Sequence, residues 1–250
     1  MKIASLFNYF CVLTLIASAS QSQGAAPMLS KQAWFQAARE GNDATITDYL
    51  DQGFNVNQIS FIGCTALMYA AGKGHFNVAD LLIKNGATID MVTNLRATAL
   101  MYAAQYDQVN VAELLIENGA TIDIEDRHER TPLIHATIFG HKNVAELLIK
   151  NGATIDRNSG QGRTTLMIAA YYGQRSIARL LLENGADINL ENDQRGTALS
   201  YAMHNNQPDM VEYLVAREGN YAYINDLLNS PHISPAVKNA FYMTIQSMNE

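Results

Sequence analysis

The chain repeats itself. Thr65-Ala66-Leu67-Met68-Tyr69-Ala70-Ala71 returns 33 residues later as Thr98-Ala99-Leu100-Met101-Tyr102-Ala103-Ala104. It returns again as Thr131-Pro132-Leu133-Ile134-His135-Ala136, Thr164-Thr165-Leu166-Met167-Ile168-Ala169-Ala170 and Thr197-Ala198-Leu199-Ser200-Tyr201-Ala202. A second motif follows at a fixed distance, first as Leu81-Leu82-Ile83-Lys84-Asn85-Gly86-Ala87 and then from Leu114, Leu147 and Leu180. A degenerate first copy has Ala37-Ala38 followed by Tyr49-Leu50-Asp51-Gln52-Gly53. Each unit holds two short apolar stretches, such as 67–71 and 78–83. A unit of this size cannot bury both apolar faces within itself, but it can against neighbours of its own kind. The period therefore dictates a one-dimensional stack.

Within a unit, the Thr hydroxyl opening the first motif suits a helix N-cap. Gly53, Gly86, Gly119, Gly152, Gly185 and Gly219 follow the second stretch. There a left-handed residue ends a helix, and glycine bears no Cβ penalty. Small pairs such as Ala70-Ala71 let helices approach closely. The motifs resemble the ankyrin repeat family, whose pattern is Thr-Pro-Leu-His-x-Ala-Ala, then Gly-His, then Leu-Leu-x-x-Gly-Ala. Thr131-Pro132-Leu133 with Gly140-His141, and Gly74-His75, match it closely, whereas Ala replaces Pro after Thr65, Thr98 and Thr197. The expected fold is an all-α ankyrin-repeat solenoid of stacked helix–turn–helix units with projecting hairpin loops.

The expected organisation is a signal peptide at 1–19, a mature N-terminal segment at 20–30, about six repeats at 31–219 and a capping helical segment at 220–250. The repeats start near 31, 61, 94, 127, 160 and 193. Gln36, Arg39, Glu40, Asp43, Asp48 and Asp51 give the first copy the wetter face of a cap. At the other end, Ser234-Pro235 reads as an N-cap with proline in the first turn. Val237, Phe241, Ile245 and Met248 recur at helical spacing behind it.

Met1-Lys2 is a short positive start, an apolar run is densest at 10–16, and Ala17-Ser18-Ala19 puts small residues where a signal peptidase reads them. A membrane anchor is the alternative. Residues 3–19 are short against the roughly 20 that a span needs, and they contain Ser5, Asn8, Tyr9, Thr14 and Ser18. Cleavage after Ala19 would remove Cys11 and leave Cys64 as the only thiol, so no disulfide could mispair in an oxidising compartment. No Asn-x-Ser/Thr acceptor follows the signal. Both features fit a bacterial periplasm, and a secreted protein is the other location expected.

A net charge of −7 opposes nucleic-acid binding by phosphate neutralisation. Metalloprotease, nucleophile-elbow and phosphate-loop motifs are missing, and Ala71-Gly72-Lys73-Gly74 lacks both the first glycine and the Ser/Thr of a phosphate loop. The family uses the His75 and His141 position structurally. His128, His135, His204 and His232 lack metal-ligand spacing. Acidic residues at helix surfaces and loop starts read as solvated, and Cys64 reads as a packed thiol. The expectation is no enzyme, no cofactor and no metal.

Ankyrin-like stacks bind proteins through loop tips and the concave row of first helices; that much the resemblance implies. The residue pairs ending successive first helices are Arg39-Glu40, Gly72-Lys73, Gln105-Tyr106, Ile138-Phe139, Tyr171-Tyr172 and His204-Asn205. Packed helices stand about 10 Å apart, so Tyr106, Ile138, Phe139, Tyr171 and Tyr172 should form one patch, and tyrosine is enriched at binding hot spots. Arg96, Arg130, Arg163 and Arg195 stand 34, 33 and 32 residues apart at the loop tips, with Arg127 beside them. That reads as a line of guanidinium groups suited to carboxylates. Phe61, Ile62 and Leu95 add apolar tips.

The reading is an exported protein-binding module, a monomer when free, that regulates or inhibits one periplasmic partner enzyme. The resemblance supplies a precedent in periplasmic ankyrin proteins that protect predatory bacteria from their own cell-wall peptidases. The alternatives are a secreted effector that binds host proteins and a periplasmic scaffold or stress-related protein.

Overall fold

The computed structural model describes residues 30–217 and 228–248. The signal segment, residues 20–29, Gly219 and the stretch 220–227 lie outside them. Six helix pairs follow one another: α1 (Lys31–Glu40) with α2 (Asp43–Asp51), α3 (Ala66–Lys73) with α4 (Phe76–Lys84), α5 (Ala99–Gln105) with α6 (Val109–Glu117), α7 (Pro132–Phe139) with α8 (Lys142–Lys150), α9 (Thr165–Tyr172) with α10 (Arg175–Glu183), and α11 (Ala198–His204) with α12 (Pro208–Val215). A thirteenth helix, α13 (Pro235–Met248), packs on α12. Among the described residues there is no strand.

Each first helix starts where a Thr side chain demands it. Thr65, Thr98, Thr131, Thr164 and Thr197 accept the N–H three residues on at 3.2–3.3 Å. Five positions after that Thr stands an alanine in every copy: Ala70, Ala103, Ala136, Ala169 and Ala202, all fully buried. With only a methyl group between them, neighbouring first helices pack more closely than the second helices do. Two rows of unequal spacing bend the stack towards the tighter row, so the first helices carry its concave face. Behind them Val78, Val111, Val144, Ile177 and Met210 share one buried row, and Leu82, Leu115, Leu148, Leu181 and Leu214 share another. Gly53, Gly86, Gly119, Gly152 and Gly185 take φ between +77° and +94° after the second helices.

The acidic loop starts are partly exposed, as the sequence suggests, but they also bridge neighbouring repeats. The carboxylate of Asp90 accepts the N–H and hydroxyl of Thr121, Asp123 does the same for Thr154, and Asp156 accepts the Asp187 N–H. Asn57 accepts the Thr88 N–H in the same way. These bonds, 31 residues apart in the chain, tie each repeat to the next. A second set ties the turns: Nε2 of His75 lies 2.9 Å from the Arg39 carbonyl, and that of His141 lies 3.0 Å from the Gln105 carbonyl.

Each projecting loop is a tight finger, and the five described fingers open repeats 2 to 6 and take the number of the repeat they open. The first residue of each donates its N–H to the carbonyl four residues on: Ser60 to Cys64, Thr93 to Ala97, Asp126 to Arg130, Ser159 to Arg163 and Asn192 to Gly196. Fingers bond to fingers through Asn94 N–H to the Ile62 carbonyl and Arg127 N–H to the Leu95 carbonyl. Cys64 is buried, with its Sγ 3.5 Å from the Tyr102 hydroxyl. At the ends, Trp34 packs on Tyr49 and Phe54, with ring centroids 5.7 and 5.1 Å away. Ser234 Oγ accepts the Val237 N–H, and α13 buries Val237, Phe241 and Thr244. Met248, the last residue of the helix, is exposed instead of closing the stack.

Asp126 is the buried hub of the fourth finger. Its Oδ1 accepts the N–H groups of His128 and Arg130, and its Oδ2 accepts from His135 Nε2 at 3.0 Å. Burial pushes its pKa up, but the His135 hydrogen bond and charge and the two backbone donors outweigh that and hold it below the ordinary 3.8. A carboxylate with a depressed folded pKa adds stability above its unfolded pKa and loses it as pH falls through the folded value. Asp126→Asn should therefore lower unfolding free energy by about 1–3 kcal/mol at neutral pH. Its deficit against the natural protein should shrink as pH drops below 3.8, as read by urea unfolding across pH.

Candidate protein-binding face

Counting from the capping Thr of each repeat places the concave side chains. Positions four and eight residues later lie one turn apart on the same helix face. Position four holds Tyr69, Tyr102, His135, Ile168 and Tyr201, and position eight holds Lys73, Tyr106, Phe139, Tyr172 and Asn205. Tyr106, Phe139 and Tyr172 are 45%, 42% and 40% exposed. They form three successive steps of one row, while Ile138 and Tyr171 beside them are half-buried. Tyr171 meets Tyr172 edge-on at 4.9 Å and Tyr201 at 6.3 Å, so it fills the seam between repeats. Tyr106 leans back over Gly72, where an added Cβ would stand 3.4 Å from its ring. Position four went unread in the sequence, although the four-residue spacing behind Tyr106 and Tyr172 pointed to Tyr102 and Ile168.

The arginines do not form one line, because they occupy two registers of the finger. Arg96 and Arg195 stand two residues before the Thr, at left-handed backbone with φ of 61°, beside Gly63, Glu129 and Gly162 in the other fingers. Arg96 reaches the Glu125 carbonyl, and Arg195 pairs with Glu191 at 3.4 Å. Arg130 and Arg163 stand one residue before the Thr, half-buried, where other fingers carry Cys64, Ala97 and Gly196. The spacing of 34, 33 and 32 residues recorded this shift of register. The tips of the second and third fingers carry Phe61, 93% exposed, and Leu95, while Ile62 packs on the core.

Arg127, Arg130 and Arg163 come together with Ile138 and Tyr172 around one cleft of about 340 Å³. It lies between the fourth and fifth fingers, and His128, Glu129, Ser159, Gly160, Gln161 and Ile168 complete its wall. Phe61, Ile62, Leu95, Arg96 and Arg195 lie outside it, as do Tyr106, Phe139 and Tyr171. Burial pushes the Tyr172 hydroxyl pKa up and Tyr171 adds to that; the charges of Arg130 and Arg163 pull it down but do not cancel the rise. The Nε of Arg163 is buried without a hydrogen-bond partner. Its other end donates to Gln161 Oε1 at 2.6 Å and lies over the Tyr201 ring. No group of three or more His, Cys, Asp or Glu side chains placed to hold a metal occurs among the described residues.

The family model described as ankyrin repeats (3 copies) matches residues 34–126, 122–192 and 161–227. The chain belongs to the ankyrin repeat family. No curated protein matches it. Among solved structures it is similar to the human ASB11 ankyrin repeat domain, with 26% identity and a TM-score of 0.75 over 84% of this chain and 96% of that one. Ankyrin repeats make this a protein-binding module. None of the described helices is long and apolar enough to cross a membrane.

If the aromatic row is binding surface and not core, truncation should cost little stability. Tyr106→Ala, Phe139→Ala and Tyr172→Ala should each cost about 1–2 kcal/mol, against roughly 2–5 kcal/mol for the fully buried Leu133→Ala. Urea unfolding followed by circular dichroism separates the two groups.

Proposed function

We propose that this ankyrin protein is exported and grips one protein partner on its concave face, and that the partner is a periplasmic enzyme which it regulates or inhibits. A hydrolase, such as a cell-wall peptidase from which the producing cell needs protection, fits this reading. The observation that carries it is the row of Tyr106, Phe139 and Tyr172 along the concave face. Three rings, each less than half exposed, stand where repeats 3 to 5 meet solvent. Rigid aromatic rings give large contact area at small entropic cost, and contiguous apolar surface on a folded protein marks an interaction site. The leader-like segment at 1–19 and the single remaining thiol support export.

Fractionation of producing cells should find the mature chain in the periplasm with Ser20 as its first residue. A chain that begins at Met1, or stays in the cytoplasm, would contradict export, and recovery from the medium would favour the secreted-effector reading. Capture from periplasmic extract with the mature chain should retain one stoichiometric protein. The Tyr106→Ala, Phe139→Ala, Tyr172→Ala triple variant should lose it while keeping its helical circular dichroism. Many weak partners, or capture that survives the triple change, would favour a scaffold instead.

A further inference from the structure

The cleft between the fourth and fifth fingers exists because two positions of the fifth finger, Gly160 and Gly162, lack side chains. Its sequence is Ser159-Gly160-Gln161-Gly162, where the fourth has Asp126-Arg127-His128-Glu129. The wall carries three arginines and the floor Ile138, Ile168 and Tyr172. The single carboxylate in the lining is that of Glu129. Neither Arg127 nor Arg163 has an ion-pair partner among the described residues. A buried guanidinium N–H with no acceptor costs free energy, so Arg163 gains by turning its Nε–H towards an oxygen brought into the cleft. In a protein of net charge −7, Arg127 and Arg163 stand without a carboxylate partner among the described residues, next to the aromatic row. The volume lies at the small end of ligand sites. That suits a few side chains of a larger molecule.

We propose that the cleft receives an acidic, aliphatic-flanked segment of the protein partner, with a Glu or Asp carboxylate on Arg130 and Arg163 and an apolar neighbour on Ile138, Ile168 and Tyr172. The proposal rests on the protein-binding reading and specifies the chemistry that reading leaves open. Guanidinium forks hold carboxylates in fixed geometry, so the arginines set which residue docks, while the aromatic row supplies contact area.

Gly160 supplies a test that leaves every charge in place. A Cβ there would meet only Glu129 Oε2 at 3.8 Å and the His128 carbonyl at 3.9 Å, so Gly160→Leu fills the cleft without straining the finger. The probe is the peptide acetyl-Glu-Leu-Glu-Leu-Glu-amide, titrated into the ¹⁵N-labelled mature chain at about 0.15 M salt. The readout is the arginine Nε–H resonances, assigned with Arg127→Gln, Arg130→Gln and Arg163→Gln. The Arg163 Nε–H should shift saturably. The response should be at least tenfold weaker with the glutamine counterpart of the peptide, with inorganic phosphate at equal concentration, and in Gly160→Leu. No shift at Arg163, an equal response to the glutamine peptide, or unchanged affinity in Gly160→Leu would overturn the proposal. An equal response to phosphate would overturn it in favour of a general anion site. Should Gly160→Leu keep full partner capture while the aromatic triple variant loses it, the cleft assignment fails and the proposed function stands. Should both variants keep full capture, the proposed binding face fails with it.

Discussion

Close approach of the first helices is the constraint on which the rest of this structure depends. It is set by Ala70, Ala103, Ala136, Ala169 and Ala202, which place one methyl group at each helix contact. A larger residue there would push neighbouring repeats apart and, with them, the fingers. At the present spacing the Arg127 N–H reaches the Leu95 carbonyl and the Asp123 carboxylate reaches Thr154. The rows of Leu82 and Val78 behind the first helices share the apolar core with first-helix side chains such as Leu67, Leu100, Leu133 and Leu166. The alanine row decides where that core puts everything else.

A periodic stack assigns every position a role five times over, so departures from the average stand out against four controls. Most positions facing the neighbours are filled alike. The position just before the capping Thr is not: it runs Cys64, Ala97, Arg130, Arg163, Gly196. The position eight residues after that Thr runs Lys73, Tyr106, Phe139, Tyr172, Asn205. Both departures coincide in repeats 4 and 5, and the two glycines of the fifth finger fall in the same place. Packing does not require this coincidence, since repeats 2 and 6 stack without it.

The fold was legible in the sequence because its cause is local and repeated. A Thr cap, a buried alanine and a terminal glycine recur at one period, and each has a direct mechanical meaning. Legibility ended where meaning depends on a neighbouring repeat. Asp90 and Asp123 looked like solvated loop acids and nothing more because their partners lie 31 residues on. Arg96 and Arg130 looked like equivalent loop-tip charges, yet a shift of one residue within a tight finger sends one along the rim and the other into the cleft. The aromatic row could be read from the residues at the helix ends. Its second tier, Tyr102 and Ile168, could have been found by stepping back one turn. The cleft could not, since it is formed by what Gly160 and Gly162 leave empty.

The first repeat holds the protein's one tryptophan, Trp34, sealed between Tyr49 and Phe54. Nature has thus placed a single fluorophore at one end of a linear array. In such arrays each unit touches only those beside it, and stability propagates from neighbour to neighbour. Emission from Trp34 therefore reports the opening of the amino-terminal end, whereas helical ellipticity sums the whole stack. Coincident denaturation curves from the two signals would mean that cooperativity spans all the repeats. Divergence would measure how far along the array one repeat senses the loss of another.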